Sequence, residues 1–229
     1  MAGRRLLVET SFRTRIALAD GVTVVDEIDL GLGRQNNKQL VPALSALMAK
    51  RGWTPASLDG IAASLGPGSY TGLRVGLTLA KSMAYALGRR LIAIPTFDAI
   101  AMDFAGEIVA AIGDALNGTV YYREFARGRP VTELGIRPLA DVLGQFHGML
   151  VAAGGGNWST AAIDPQRFRQ HDVPSFASFA ALAEASEALD RVAMMGLEPL
   201  YLRGSSAEER ASAIAANSRT EVQQRTTEG

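Results

Sequence analysis

The sequence predicts an α/β protein built as two lobes of βββαβαβ type, the second smaller and degenerate. Three observations predict it: β-branched strand runs alternate with helix-length amphipathic runs, the order βββαβαβ is complete by Pro95, and a similar order restarts near Glu107. Leu6 to Val8, Arg15 to Ala19 and Val22 to Leu30 read as successive strands, with Asp20-Gly21 supplying turn chemistry between the last two. Lys38 to Lys50 then places Leu40, Val41, Leu44, Leu47 and Met48 at three-and-four spacing, a helix closed by Gly52. Leu58 to Leu65 is a strand, Thr71 to Leu87 a second long helix, and Leu91 to Ile94 a strand ended by Pro95. In the second half, Ile108 to Ile112, Val120 to Phe125, Pro130 to Leu134 and Met149 to Ala153 read as strands. Leu139 to Phe146 and Ser178 to Leu189 read as helices.

The expected division is an N-terminal lobe over 1–103, a C-terminal lobe over 104–203 with a pivot near 96–106, and a polar tail over 204–229 read as a frayed helix and then disorder. Two lobes of this order are the architecture of the actin-like, ribonuclease-H-like superfamily.

Composition narrows the function. The 23 basic residues balance 23 acidic ones, so no overall positive field draws in a nucleic-acid backbone, and any RNA contact is local or delegated. The absence of cysteine excludes disulfides, thiolate ligands and a cysteine nucleophile. The apolar run before Glu9 is too short for a signal-peptide core or a membrane span, so the expected address is cytoplasmic, with no membrane contact.

The most informative segment is Gly66-Pro67-Gly68-Ser69-Tyr70-Thr71-Gly72-Leu73-Arg74-Val75-Gly76, between a strand and a long helix. Its glycines permit a tight turn, and Ser69 or Thr71 can cap the first free amides of the helix. Such a turn can also cradle phosphate, but the Gly-Lys-Ser/Thr ending of a P-loop and a Gly-x-Gly-x-x-Gly spacing are both missing, so capping is the stronger reading. Along the helix, Arg74, Thr78, Lys81 and Tyr85 form a narrow polar stripe, while Gly72, Gly76, Ala80 and Ala84 put a small residue at every fourth position. The small stripe lets another element approach closely, either a helix of a second chain or the protein's own core.

Gly66 to Gly76, with Val8-Glu9-Thr10-Ser11, Leu40-Val41-Pro42, Asp114 with Val120-Tyr121, and Pro199-Leu200-Tyr201-Leu202-Arg203, resembles the TsaB family, relatives of TsaD that often carry a glycoprotease-like label. The chain looks like a divergent member. Glu9 stands where the family usually has Asp, Asn36-Asn37 where it usually has His-Ser, and Leu116-Asn117 where it usually has a basic or bulky pair.

The resemblance implies a non-catalytic partner subunit of the TsaD-containing complex that forms threonylcarbamoyladenosine beside the tRNA anticodon. It implies a TsaD-like catalytic partner, a TsaE-like ATPase as third member, tRNA contact only within the complex, and a homodimer when TsaD is absent. It also implies an interface on the first two long helices. The interface residues expected from it are Leu40, Leu44, Leu47, Gly72, Leu73, Gly76, Leu77, Ala80 and Ala84.

Two alternatives remain. The first is an actin-like ATPase or phosphotransferase, for which Glu9, Thr10 and Asp114 at the ends of matching first strands, with the loop Gly154-Gly155-Gly156, are the candidate nucleotide-binding residues. In that reading Trp158 could stack on a base or plug the core. The second is a metalloprotease, suggested by family labelling alone. His147 and His171 have no metal-site spacing, and no nucleophilic triad assembles around Ser69, so neither a catalytic residue nor a metal or cofactor is expected.

Overall fold

The computed structural model describes residues 3–32, 36–156 and 163–202. Trp158, Arg203 and the tail fall outside the described residues, as do the side chains of Asn36 and Asn37.

The first sheet has the order β3-β2-β1-β4-β5, from β1 (Arg4–Glu9), β2 (Thr14–Asp20), β3 (Thr23–Gly31), β4 (Gly60–Gly66) and β5 (Arg90–Pro95). The meander β1 to β3 is antiparallel, and β4 and β5 join β1 in parallel. This is the actin-like, ribonuclease-H-like arrangement expected from the element order. Strand alternation sorts the side chains. Leu6, Val8, Ile16, Leu18, Ile61 and Ala63 point to one face, and Leu7, Ala17, Ala19 and Ala62 to the other. Both faces must therefore be covered.

The first face is covered by α1 (Asn36–Lys50) and α2 (Tyr70–Leu87). Ser69 caps α2, its hydroxyl accepting from the amide of Gly72 at 3.2 Å, and Gly88 ends it in the left-handed conformation at φ 62°. The second face is covered by α5 (Phe176–Ala185), which follows the second sheet in the chain; Phe176, Phe179, Ala180 and Ala183 fill that side. Arg5 of β1 pairs with Glu184 at 2.5 Å, and the Arg15 guanidinium lies 4.5 Å from the centre of the Phe176 ring. The 104–203 segment therefore does not pack as one unit. Its last third returns to the first lobe, because a sheet apolar on both faces leaves one side exposed to water without it.

The second sheet has the order β11-β10-β6-β7-β8, from β6 (Ile108–Asp114), β7 (Thr119–Ala126), β8 (Arg129–Pro130), β10 (Met149–Ala153) and β11 (Phe168–Gln170), with β9 (Gly135–Pro138) also paired to β7. A continuous strand over Pro130 to Leu134 does not form. Pro130 ends the short β8, the Val131 amide still donates to the Glu124 carbonyl at 2.9 Å, but the Glu124 amide then turns to the Thr132 hydroxyl at 2.9 Å, and regular pairing resumes at Gly135. The region read as a pivot contains α3 (Thr96–Met102), whose Phe97, Ile100 and Ala101 pack on Val109, Ala111 and Val151. On the opposite face, α4 (Leu139–Gln145) contributes Val142, which packs with Phe146 against Ile112 and Leu150. Last, α6 (Arg191–Gly196) lies against α2. No helix among the described residues is long and apolar enough to cross a membrane.

Candidate functional site

The seam between the two lobes is built on the turn after β1. Glu9, Thr10 and Ser11 are buried there, and the small residues of α2 make room for them. A Cβ at Gly72 would stand 2.3 Å from the carbonyl oxygen of Thr10, one at Gly76 2.0 Å from its hydroxyl, and one at Gly68 2.4 Å from the carbonyl oxygen of Ser11. The amide of Ser69 donates to that same Ser11 carbonyl at 2.6 Å. The spacing of the Gly66 to Gly76 motif thus seats the β1 turn against the first two turns of α2.

At the first two positions of the small-residue stripe the group that approaches is Thr10 of the same chain, its carbonyl at Gly72 and its side chain at Gly76. Leu40, Leu44, Leu47, Leu73, Leu77, Ala80 and Ala84 are likewise at most 4% exposed, and Gly72 and Gly76 are buried, all within the same lobe. The faces of these helices that reach solvent carry other residues, among them Val41, Ser45 and Ala49 on α1 and Arg74, Thr78 and Tyr85 on α2.

Glu9 is fully buried. Its Oε1 accepts from the amide of Ser11 at 2.7 Å and from the Ser11 hydroxyl, and its Oε2 has no partner. Burial pushes its pKa up to about 7, against the lowering influence of the Ser11 hydrogen bonds and the charge of Arg15. Thr10 Oγ1 and Thr96 Oγ1 are also buried without partners. Asp114 is exposed instead, and its Oδ1 accepts from the amide of Leu116 at 2.7 Å, bracing a hairpin whose Leu116, Asn117 and Gly118 all have positive φ. Glu9 and Asp114 therefore sit in unlike environments.

Phe12 fills the seam. A Cβ at Gly113, beside Asp114, would stand 2.8 Å from its Cζ, and one at Gly154 would stand 2.7 Å from its Cδ1. The ring stacks on Phe97 with centroids 6.4 Å apart and planes 11° apart. Gly154 has φ 73° and is buried, its amide donating to the carbonyl of Asp172 at 2.9 Å, while exposed Gly155 has Leu32 nearby and Gly156 is half-buried. The group that the glycine loop admits close to its backbone is an aromatic ring of the same chain. Sequence reasoning passed over Phe12, although a glycine inside strand β6, where no turn requires one, was a signal of close approach.

A second cluster ties the end of α3 to the start of α5. Asp103 accepts from the hydroxyls of Ser175 and Ser178 at 2.5 and 2.6 Å and from the amide of Ser175 at 2.8 Å, and it pairs with His171 Nε2 at 2.7 Å. Burial acts to raise the Asp103 pKa, but the hydrogen bonds from His171, Ser175 and Ser178 outweigh it and hold the carboxyl below its usual range. The serines bond the carboxylate rather than the imidazole, so this is a structural clamp and not a nucleophile with its base. His147 is exposed. His171 is committed to Asp103, and among the described residues no group of three His, Cys, Asp or Glu stands close enough to hold an ion.

Two lobes on this strand order, joined through a crossover helix and sealed by an aromatic ring, define an actin-like α/β protein. A solved YeaZ structure from Pseudomonas aeruginosa has the same fold, with a TM-score of 0.71 at 23% identity over 87% of this chain and all of that one. The family model described as TsaD, tRNA N6-adenosine threonylcarbamoyltransferase, matches residues 32–222, and the chain belongs to that family as a divergent TsaB member.

Among its relatives, the tRNA threonylcarbamoyladenosine biosynthesis protein TsaB of Bacillus subtilis is 34% identical over 120 residues, 51% of this chain and 52% of that protein. A tRNA N6-adenosine threonylcarbamoyltransferase of Erythrobacter litoralis is 45% identical over 71 residues, 31% of this chain and 20% of that protein. The chain spans about half the length of the TsaB relatives it matches.

Proposed function

We propose that this chain is a non-catalytic partner subunit in threonylcarbamoyladenosine formation on tRNA, working in the cytoplasm beside a TsaD-like catalytic subunit and a TsaE-like ATPase. The observation that carries the reading is the seam. Where an actin-like ATPase holds nucleotide and magnesium between its lobes, Phe12 packs against Gly113 and Gly154, and Glu9 is turned into the Ser11 turn. A cleft filled by the chain's own side chains suits a scaffold better than a phosphotransferase. The alternative ATPase reading needs Phe12 to leave, and calorimetry of the isolated chain with magnesium-ATP tests it: saturable heat followed by turnover favours the enzyme.

The docking surface belongs to the solvent faces of α1 and α2, where exposed Val41 and Tyr85 supply apolar area. A second copy of the chain uses the same faces when the catalytic subunit is missing, and tRNA is met only within the assembled complex. The test is sedimentation of the chain mixed with a TsaD-like subunit from the same host. Val41→Glu and Tyr85→Glu are expected to abolish co-sedimentation while leaving the circular dichroism melt of the isolated chain unchanged. Pairing that survives both substitutions overturns the assignment of these faces.

A further inference from the structure

The helices that cover the first face of the first sheet carry charge of one sign. Neither α1 nor α2 contains an aspartate or a glutamate, and α6, which lies against α2, contains none either. Their cations are Lys38 and Lys50 on α1, Arg74 and Lys81 on α2, and Arg191 on α6. Lys50 is neutralised by Asp26 of β3 at 2.8 Å. Lys38, Arg74, Lys81 and Arg191 have no ion pair among the described residues. Two carboxylates share depressions with them: Glu198 lies beside Arg74 and Lys81, and Asp190 beside Arg191, with the Asp190 Oδ1 already accepting from the amide of Ala193 at 2.8 Å.

Neutral groups hold three of these cations in place. Arg74 donates from Nη1 to the Tyr70 hydroxyl at 2.8 Å and lies 5.3 Å from the centre of that ring, while Arg191 lies 4.4 Å from the centre of the Tyr85 ring. Lys81 Nζ donates to the carbonyls of Met195 and Leu197 at 2.8 and 2.9 Å. Such partners orient a cation and leave its charge uncompensated. Around them, the solvent faces of α1 and α2 offer short side chains, Ser45, Ala46 and Ala49 on one helix and Thr78 and Ser82 on the other, so a partner can come close to the charges.

The pattern treats two kinds of partner differently. Arg74 and Lys81 share one stripe of α2 and stand two turns apart, about 10 Å along the axis. A two-fold pair of identical chains sets this face against its own copy, so a stripe with two cations and no anion meets another such stripe in any register. Like charges then oppose the pairing, and salt relieves them. A partner whose docking surface carries carboxylates meets the reverse: the same cations steer it in, and salt weakens the attraction.

We infer that the α1–α2 face selects a partner with an acidic docking surface and discriminates against a second copy of this chain. The inference rests on the docking of a catalytic subunit at this face and adds the chemistry that subunit presents there. Lys38 and Arg74 steer the encounter, and exposed Val41 and Tyr85 supply the apolar contact. A second copy docks only as a weak pair that salt promotes.

The test is analytical ultracentrifugation of the full chain, alone and mixed with the TsaD-like subunit of the same host, from about 0.05 to about 0.5 M sodium chloride. Over that range the mixed pair is expected to weaken about tenfold and the self-pair to tighten about threefold. At the lower salt, Arg74→Glu is expected to weaken the mixed pair about tenfold and to tighten the self-pair about threefold, since a carboxylate at this position repels an acidic partner and attracts the cations of a facing copy. Arg74→Gln falls between on both counts, and circular dichroism verifies that each variant keeps its fold. Salt dependences of the same sign for the two pairs, or an Arg74→Glu substitution that weakens both, overturn the inference and leave the catalytic-subunit reading in place. A mixed pair absent at every salt concentration overturns both. A self-pair tighter than the mixed pair at low salt assigns the face to a second copy, and retention of tRNA by the isolated chain that Arg74→Glu abolishes assigns it to RNA; either result overturns the inference.

Discussion

Replacing Glu9 by glutamine should remove a pH dependence from the stability of the whole chain. Glu9 is wholly buried, and burial lifts its pKa from the ordinary 4.5 to about 7. The folded protein therefore keeps a proton there that the unfolded chain has already released between these two values. Stability from this group is fully present below about pH 4.5 and is lost as pH rises through about 7. At about 1.4 kcal/mol per pH unit, that interval corresponds to about 3 kcal/mol.

Glutamine preserves an acceptor for the Ser11 amide and cannot ionise. Urea unfolding of wild type and variant, followed by far-ultraviolet circular dichroism from about pH 5 to about pH 8, isolates the effect, because the other titrating groups cancel in the difference. The wild type should lose ground steadily against Glu9→Gln over that range, so that the variant is the more stable protein on the alkaline side. Parallel curves, or a wild type that gains on the variant as pH rises, refute the account of Glu9 as a buried, proton-holding carboxyl.

Three further outcomes follow from the packing. Gly76→Ala puts a Cβ 2.0 Å from Thr10 Oγ1 and should cost about 1–3 kcal/mol in chemical denaturation, with no substitution of comparable effect at exposed Thr78. Phe12→Ala should cost about 2 kcal/mol, less than a fully buried phenylalanine, and should widen the small-angle scattering profile as the lobes lose their shared ring. Lys81→Met keeps the aliphatic stem but removes the donor to the Met195 and Leu197 carbonyls; hydrogen exchange should accelerate in Arg191–Gly196 while the sheet amides are unaffected.

Much of the first lobe was legible because its local signals agree. Alternation in β1, β2 and β4 sorts residues onto two faces, three-and-four spacing marks α1, and Ser69 caps the second helix as its place before Thr71 suggested. What stayed hidden depends on which element meets which. The stripe Gly72, Gly76, Ala80 and Ala84 announces close approach, but periodicity carries no label for the approaching group, and here Thr10 meets the first two of them.

The return of α5 to the first sheet was hidden for the same reason. Its apolar residues read as a helix wherever they pack, and only the second bare face of that sheet demands them. In the seam, Glu9, Asp114 and Gly154 were picked out as candidates from strand ends and glycines. Phe12, which lies against Gly113 and Gly154, sits in a short polar turn where no period points to it.

The most direct test of the role assigned to this chain is the amount of threonylcarbamoyladenosine formed on tRNA by a reconstituted mixture of the TsaD-like subunit, the TsaE-like ATPase and this protein, read by mass spectrometry of digested nucleosides. A scaffold role predicts background levels when the chain is left out and full recovery when it is replaced by the doubly substituted Glu9→Gln, Asp114→Asn protein. A folded double variant that pairs normally yet fails to restore the modified nucleoside would place chemistry in the seam and contradict the account.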